Sequence, residues 1–223
     1  MSLLGNRLNA VTEILKSCEN NSLFADIGSD HAFLAAEVVK QGIAKSAIAA
    51  DINEMPLLKG KENAENSGVK LEFILSDGFD EFDGRDISSA AVCGMGGELI
   101  AKIVLRSKAA RRALLALQPM SAQEELRKAL WDNGFEIRRE IFTYEAEKPY
   151  TVMEVRYSGK NSCYDYLDIY LGKERKRSPE FSKYCEKILH SAQKRRLGII
   201  ARNESTKEID SLIEFCQTQT MIF

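Results

Sequence analysis

The stretch Leu23–Ala35, LFADIGSDHAFLA, places an acid and a glycine where an apolar run ends. A turn of this kind, between a strand and a helix, is where nucleotides bind. The usual second glycine is replaced by Asp30, which is followed by His31, one of the two histidines in the chain. Three hypotheses follow: an altered phosphate loop, a metal site, or a turn that binds another kind of cofactor.

Small or acidic residues also end the next predicted strands. At the ends of predicted strands one to four these residues are, in order, Asp26 and Gly28; Asp51; Asp77 and Gly78; and Gly94, Gly96 and Gly97. A single strand-end Asp is more often a cap or a turn former. Four such ends on one edge of a parallel sheet favour a binding site. Asp51 follows Gly28 by 23 residues, near the ~20-residue spacing at which an acid binds ribose hydroxyls.

The charge of Asp30 decides between cofactors. A dinucleotide needs backbone N–H groups open to its pyrophosphate, and a carboxylate in that turn would repel the phosphates. S-adenosylmethionine (SAM) has no phosphate, and its ammonium and sulfonium groups favour nearby carboxylates. The acidic turn therefore predicts SAM rather than NAD, with Asp51 on the ribose.

The metal hypothesis for His31 lacks partners. His190 lies in a distant basic segment, and the five cysteines form no CxxC pair, so no metal is expected. Two interpretations of His31 stay open: a hydrogen-bonded structural residue at a helix start, or a residue that binds the cofactor or positions the substrate.

Strand and helix patterns alternate through the first 157 residues. Five buried apolar strands are separated by helices, and residues 135–157 form a strand pair without a helix between its members. This pattern predicts an α/β fold with a doubly wound, seven-stranded, mostly parallel sheet. The ligand then belongs at the carboxyl ends of the strands. Ser121 and Glu124 have the capping-box spacing that would open the helix after strand five.

The sequence changes character after Tyr157, where SGKNS indicates a boundary. We expect one domain over residues 1–158 and a small all-α, coiled-coil-like domain over residues 159–223. Apolar stripes in the second part predict two helices that pack antiparallel.

Charge is distributed unevenly although the net charge of the 223 residues is only −2. Residues 160–223 contain 12 Lys+Arg against 9 Asp+Glu, and residues 173–196 contain 9 against 3. A basic segment attracts phosphate-bearing partners, although a solvated helix surface has the same composition. The scattered cysteines, and the lack of any apolar run of ~18 residues or of a signal peptide, predict a cytoplasmic protein.

Several motifs together resemble the TrmK family of bacterial tRNA methyltransferases, which methylate N1 of adenine 22. They are DIGSDHAFL, AADINEMPLLKGKENAENSG, LSDGF, CGMGGELI, LQPM…LRKALWDNGFEIRRE and KPYTVMEVRY, in this order. The resemblance covers roughly residues 6–157, and the C-terminal part only by its architecture. It implies a class I Rossmann-like methyltransferase domain, SAM as cofactor, tRNA as partner and a helical C-terminal domain that binds tRNA.

The resemblance also implies site residues. Asp26, Gly28 and Ser29 would line the methionine part of SAM, Asp51 and Ile52 the ribose and adenine, and Asp77 and Gly78 the adenine edge. Gly94, Met95, Gly96 and Gly97 would form the floor where target and cofactor meet. CGMGG replaces the Asn/Asp-Pro-Pro-aromatic motif of many enzymes that methylate the exocyclic amine of adenine, which argues against that chemistry.

Methyl transfer to N1 of adenine needs no deprotonated nucleophile, because N1 has its own lone pair. A carboxylate near the cationic product would stabilise the transition state, and Asp30 is our candidate. The other catalytic candidates are His31, Met95 against the target base and Tyr150 stacked on a base, although both of the last two residue types commonly serve only packing. The RNA-binding candidates are Arg7, Lys173, Arg175, Lys176, Arg177, Lys194, Arg195 and Arg196.

Two other functions stay open. The first is a SAM-dependent methyltransferase acting on another RNA position or a small molecule, although a small substrate has no use for basic C-terminal helices. The second is a non-catalytic RNA-binding module. The sequence does not indicate an oligomeric state.

Overall fold

The computed structural model describes residues 4–220. A seven-stranded sheet forms its centre, made of β1 (Leu23–Ile27), β2 (Ser46–Asp51), β3 (Glu72–Leu75), β4 (Ser89–Gly96), β5 (Leu114–Ser121), β6 (Phe135–Glu145) and β7 (Lys148–Tyr157). The strand order is β3-β2-β1-β4-β5-β7-β6. Strands β1–β5 are parallel, and β7 runs antiparallel to both β5 and β6. The predicted mixed, doubly wound sheet is confirmed.

Helices cover both faces of the sheet. They are α1 (Asn6–Leu15), α2 (Phe33–Lys40), α3 (Glu54–Asn66), α4 (Gly97–Arg106), α5 (Gln123–Asp132), α6 (Tyr166–Leu171), α7 (Pro179–Ala201) and α8 (Lys207–Thr220), with a short 3-10 turn at Asp80–Phe82. Side chains of β1 alternate between two cores: Ala25 and Ile27 face α4 and α5, whereas Phe24 faces α1 and α2. Burial on both faces explains why the strands read as continuous apolar runs.

Helices α6, α7 and α8 share a third apolar cluster. Phe181, Cys185, Leu212 and Cys216 are buried in it, and Phe142 of β6 packs against it. Residues 202–206 join α7 to α8, as the sequence predicts. Helix α6 was not predicted, because six residues are too few to show a helical period. Within residues 4–220, no helix has the length and apolar character needed to cross a membrane.

A buried ion pair connects the sheet to helices α6, α7 and α8, which together form the helical region. Arg127 of α5 and Glu140 of β6 are 0% and 3% exposed, with Nη2 2.9 Å from Oε1. Arg127 also donates to the carbonyl oxygens of Ile169 and Tyr170 in α6, at 2.9 and 3.1 Å, and to the Tyr184 hydroxyl of α7. The guanidinium thus satisfies α6 carbonyls that have no helical partner. Burial raises the pKa of Tyr184 to about 12.

The prediction of a capping box at Ser121 and Glu124 is wrong. Strand β5 continues to Ser121, which pairs with Gly96 of β4. Helix α5 begins after Ala122, which has a left-handed φ of 55° and provides no side-chain cap.

Candidate cofactor and substrate site

A cleft of about 520 Å³ lies at the carboxyl ends of β1, β2, β4 and β5. Eight of the predicted site residues line it: Arg7, Asp26, Gly28, Asp30, His31, Asp51, Gly94 and Met95. The parallel strands bring these residues together from four separate segments, as expected for the switch point of a doubly wound sheet.

The turn after β1 holds a buried carboxylate. Asp26 is 5% exposed, and its Oδ2 accepts a hydrogen bond from Ser29 Oγ at 2.7 Å. Backbone N–H groups of Gly28 and Ser29 donate to the Ala50 carbonyl at 2.8 and 2.9 Å, which ties the turn to β2. Burial raises the pKa of Asp26 to about 6, against the opposing effect of the Ser29 hydrogen bond. Such a carboxylate favours a cationic ligand, because a nearby cation would stabilise the ionised form that burial disfavours.

Asp30 and His31 lie at the mouth of this turn. The Asp30 side chain is 82% exposed, and its Oδ1 lies 3.1 Å from His31 Nε2. His31 and Ala32 have left-handed φ values of 61° and 55°. Asn63 of α3 holds this backbone by donating to the His31 carbonyl at 3.0 Å. His31 therefore has a structural tie through its backbone, while its ring lines the cleft.

Acidic side chains also follow or end strands β2 and β3. Asp51 Oδ1 accepts from the Asn53 N–H at 2.8 Å and from its side-chain amide at 3.2 Å, which orients the carboxylate. Ile52 is 62% exposed. Asp77 pairs with Arg106 at 2.8 Å. Ile52, Asp77 and its neighbour Gly78 lie outside the described lining of the cleft.

The glycine loop, residues 94–97 at the end of β4 and the start of α4, forms another wall of the cleft. The β4–β5 register shifts on both sides of Met95, and Gly94 has a φ of +78°. The methyl of Met95 occupies the space that a Cβ on Gly28 would need. A Cβ on Gly97 would overlap the Ala122 carbonyl oxygen. Close approach between turns therefore explains these two glycines.

Among residues 4–220, no three His, Cys, Asp or Glu side chains come together as a metal site would require. Cys93, beside the glycine loop, lines the cleft. Burial raises the pKa of its thiol, and the nearby Asp26 carboxylate adds to that shift. Cys93 is therefore a neutral thiol in the wall of the cleft.

Sequence reasoning missed several residues of the site. Leu8, Phe33, Leu34, Cys93 and Met120 line the cleft. Gln118, fully buried in β5, bonds both Arg7 and the Gly94 N–H. A glutamine inside the apolar strand ALLALQP was the available signal, since a buried amide must find partners. Tyr150 is absent from the described lining of the cleft; it lies in β7, where it pairs with Thr143 of β6.

The structure divides the predicted RNA-binding residues into three groups. Arg7 lies in the cleft. Three arginines are engaged inside the helical region: Arg175 binds Asp168 and the Gly172 carbonyl, Arg195 stacks 4.3 Å above the Tyr170 ring, and Arg196 bonds Asp210 at 2.5 Å.

The remaining cations are exposed. Lys173 donates to the Cys163 carbonyl at 2.6 Å and lies 5.1 Å above the Trp131 ring. Lys176, Arg177 and Lys194 are exposed, and Lys176 lies 3.5 Å from the Glu174 carboxylate. These last three offer the most accessible positive charge of the predicted set.

Comparison with known proteins assigns a family. The sequence profile described as "Methyltransferase domain" matches residues 4–153. The tRNA (adenine(22)-N(1))-methyltransferase of Bacillus subtilis is 30% identical over 173 residues, covering 76% of this chain and 71% of that protein. The chain belongs to the TrmK family of methyltransferases.

Solved structures similar to this TrmK-family chain extend over nearly its whole length. Sp1610 of Streptococcus pneumoniae, in complex with S-adenosyl-L-methionine, matches with a TM-score of 0.79 and 28% identity, covering 98% of this chain and 100% of that one. TrmK of B. subtilis matches with a TM-score of 0.76 and 25% identity, covering 99% and 97%. Both matches therefore include α6, α7 and α8, beyond the segment that the family profile covers.

Proposed function

We propose that this chain transfers the methyl group of SAM to N1 of adenine 22 in tRNA. The observation that carries the proposal is the acidic turn at the carboxyl edge of the sheet, whose carboxylates suit a cationic cofactor without a phosphate. The B. subtilis relative named for this reaction supports it, as does the S. pneumoniae neighbour with SAM bound.

The cleft residues fit the charge of SAM. Asp26 is buried beside the turn and would bind the ammonium, which would stabilise the ionised form that burial disfavours. Asp51, already oriented by Asn53, would accept from the ribose hydroxyls. Gly28 and Ser29 would follow the methionine part, with Gly94 and Gly96 beneath it. Ile52, Asp77 and Gly78 would contact the adenine from the adjoining strand ends.

The target adenine would enter beside the glycine loop. Its N1 must lie in line with the SAM methyl at about 3–3.5 Å, and this alignment supplies much of the rate acceleration. Because N1 is hidden in a Watson–Crick pair, the nucleotide must be unpaired or flipped out. Asp30 is exposed at the mouth, where its charge would stabilise the positive charge that develops on the ring. His31 would orient Asp30, while Met95 and Tyr150 would contact the base.

Residues 159–223 would bind the tRNA as a helical domain next to the methyltransferase domain of residues 1–158. Exposed cations there would contact the phosphate backbone, which positions the RNA without reading its sequence. We also propose a cytoplasmic location, which a tRNA substrate and the five free cysteines support.

Methylation of unmodified tRNA with labelled SAM, followed by mapping of the modified position, tests the proposal. We expect one label per tRNA at N1 of adenine 22 and none in a transcript carrying guanine there. Label at another nucleotide would refute the position, and label only in small molecules would refute the RNA substrate. SAM binding without transfer to any RNA would favour a binding module.

A further inference from the structure

Gln118 joins two walls of the cleft through one buried atom. Its carboxamide oxygen accepts from Arg7 Nη1 at 2.6 Å and from the Gly94 N–H at 3.1 Å. Its Nε2 donates to the Pro119 carbonyl at 3.0 Å, which fixes which end of the amide faces Arg7. A fully buried amide with every polar atom bonded is rigid, so α1 and the glycine loop are held in one geometry.

Arg7 is held from its backbone as well. Its N–H, in the first turn of α1, donates to Glu145 Oε2 at 2.9 Å, and Asn6 bonds the Tyr144 carbonyl at 2.9 Å. The first N–H groups of a helix lack helical partners, so the end of β6 provides the missing acceptor. Helix α1 thus enters the cleft at a fixed position, with the Arg7 side chain directed toward Gln118.

The charges of the cleft residues indicate what kind of ligand Arg7 could bind. Asp26, Asp30 and Asp51 contribute carboxylates to the described lining, whereas Arg7 is its one permanently charged cation. Gln118 is neutral and accepts from one guanidinium nitrogen, so the positive charge of Arg7 is not neutralised by that contact. A guanidinium held in this way is suited to a carboxylate or a phosphate.

We propose that Arg7 is an anion-binding residue of the cleft and that Gln118 is the positioning residue that holds its guanidinium there. The proposal rests on the proposed function, because the reaction brings two anionic groups to the cleft: the carboxylate of SAM and a phosphate of the target nucleotide. Each presents two anionic oxygens that can accept paired hydrogen bonds from a guanidinium.

Five variants test the proposal: Arg7→Ala, Gln118→Leu, the double variant and two controls. Gln123→Leu is the matched control for the core, because Gln123 is 3% exposed and donates to the same Pro119 carbonyl without contacting Arg7. Arg138→Ala removes an exposed arginine of β6. The dissociation constants of SAM and of decarboxylated SAM are measured by calorimetry, and the KM for tRNA by methyl incorporation.

We expect Arg7→Ala and Gln118→Leu each to weaken binding of one anion about tenfold, as for loss of a charge-assisted hydrogen bond. The double variant loses no more than about the larger single effect, because Gln118 acts through Arg7. If the anion is the SAM carboxylate, the variants bind SAM more weakly than wild type does, whereas their affinity for decarboxylated SAM equals that of wild type. If it is a phosphate, the KM for tRNA rises and SAM affinity is unchanged. Both controls stay within about twofold of wild type.

An Arg7→Ala protein within about twofold of wild type in both measurements would overturn the anion site. Additive losses in the double variant, or equal losses in Gln123→Leu, would overturn the positioning role of Gln118. Arg7→Ala leaves the core intact and keeps the first test valid even where Gln118→Leu unfolds. A wild-type chain that binds no SAM would instead overturn the proposed function itself.

Discussion

Asp26→Asn should stabilise the ligand-free protein while weakening its binding of SAM. The Asp26 carboxyl is 5% exposed, and burial raises its pKa from 3.8 to about 6. At 1.36 kcal/mol per pKa unit, this shift means that the ionised carboxylate destabilises the folded chain relative to the unfolded chain by about 3 kcal/mol at pH 7.5. Asparagine keeps the shape of the side chain and an oxygen acceptor for Ser29 but carries no charge. Urea unfolding at pH 7.5 should therefore show Asp26→Asn more stable by up to about 3 kcal/mol.

The advantage of the variant should shrink as the pH falls. The folded chain binds the Asp26 proton more tightly than the unfolded chain, so the contribution of this group to stability increases as pH falls from about 7 toward 3.8. At pH 5 the advantage of Asp26→Asn should decrease to about half of its value at pH 7.5. The difference between the two proteins is the quantity to follow, because other groups also titrate in this range.

The same substitution should lower SAM affinity at pH 7.5 by about tenfold or more, because the ammonium loses an ionised partner. For the wild type, SAM affinity should decrease below about pH 6, where Asp26 of the free protein takes up a proton. Asp30→Asn is the matched control for stability, since that carboxylate is 82% exposed. A variant less stable than wild type at pH 7.5, with an unchanged pH dependence, would refute the reasoning.

Two further predictions concern the helical region. Replacing Lys176, Arg177 and Lys194 together by Glu should weaken tRNA binding about tenfold or more at low salt, and less at high salt, with SAM affinity unchanged. Filter binding measures this, and unaltered tRNA affinity would contradict the proposed RNA surface. Arg127→Met should cost about 3–5 kcal/mol in urea unfolding, because Glu140 is left buried and unpaired; a loss below about 1 kcal/mol would contradict that account.

The parallel sheet could be predicted from the sequence because its strands are buried on both faces and separated by helices with clear periods. The strand ends then placed Asp26, Asp51 and Gly94 at one edge, where the structure brings them together in the cleft. Gln118 was missed because its partners Arg7 and Gly94 lie far from it along the chain. A polar residue in an apolar strand indicates a buried group that needs hydrogen-bond partners, but it does not identify those partners.

The basic segment shows a different limit of sequence reasoning. Residues 173–196 read as a uniform positive patch, yet Arg175, Arg195 and Arg196 contact Asp168, Tyr170 and Asp210. These partners belong to α6 and α8, so a charge count along residues 173–196 alone cannot reveal which cations are engaged. Charge reversal at Arg195 or Arg196 would disturb the packing of the helices as well as RNA contact. This is why the test above uses the exposed cations.

The turn after β1 reaches the left-handed conformation without glycine at two successive residues. His31 and Ala32 have φ values of 61° and 55°, which cost about 1–2 kcal/mol each for residues with a Cβ. The Asn63 hydrogen bond to the His31 carbonyl offsets part of that cost, and so does the close packing of the Ala32 methyl against Gly60 of α3. Side chains at these positions are thus retained at a cost in backbone energy. A glycine at residue 31 would avoid this cost, but it would remove the imidazole that lies 3.1 Å from the Asp30 carboxylate at the mouth of the cleft.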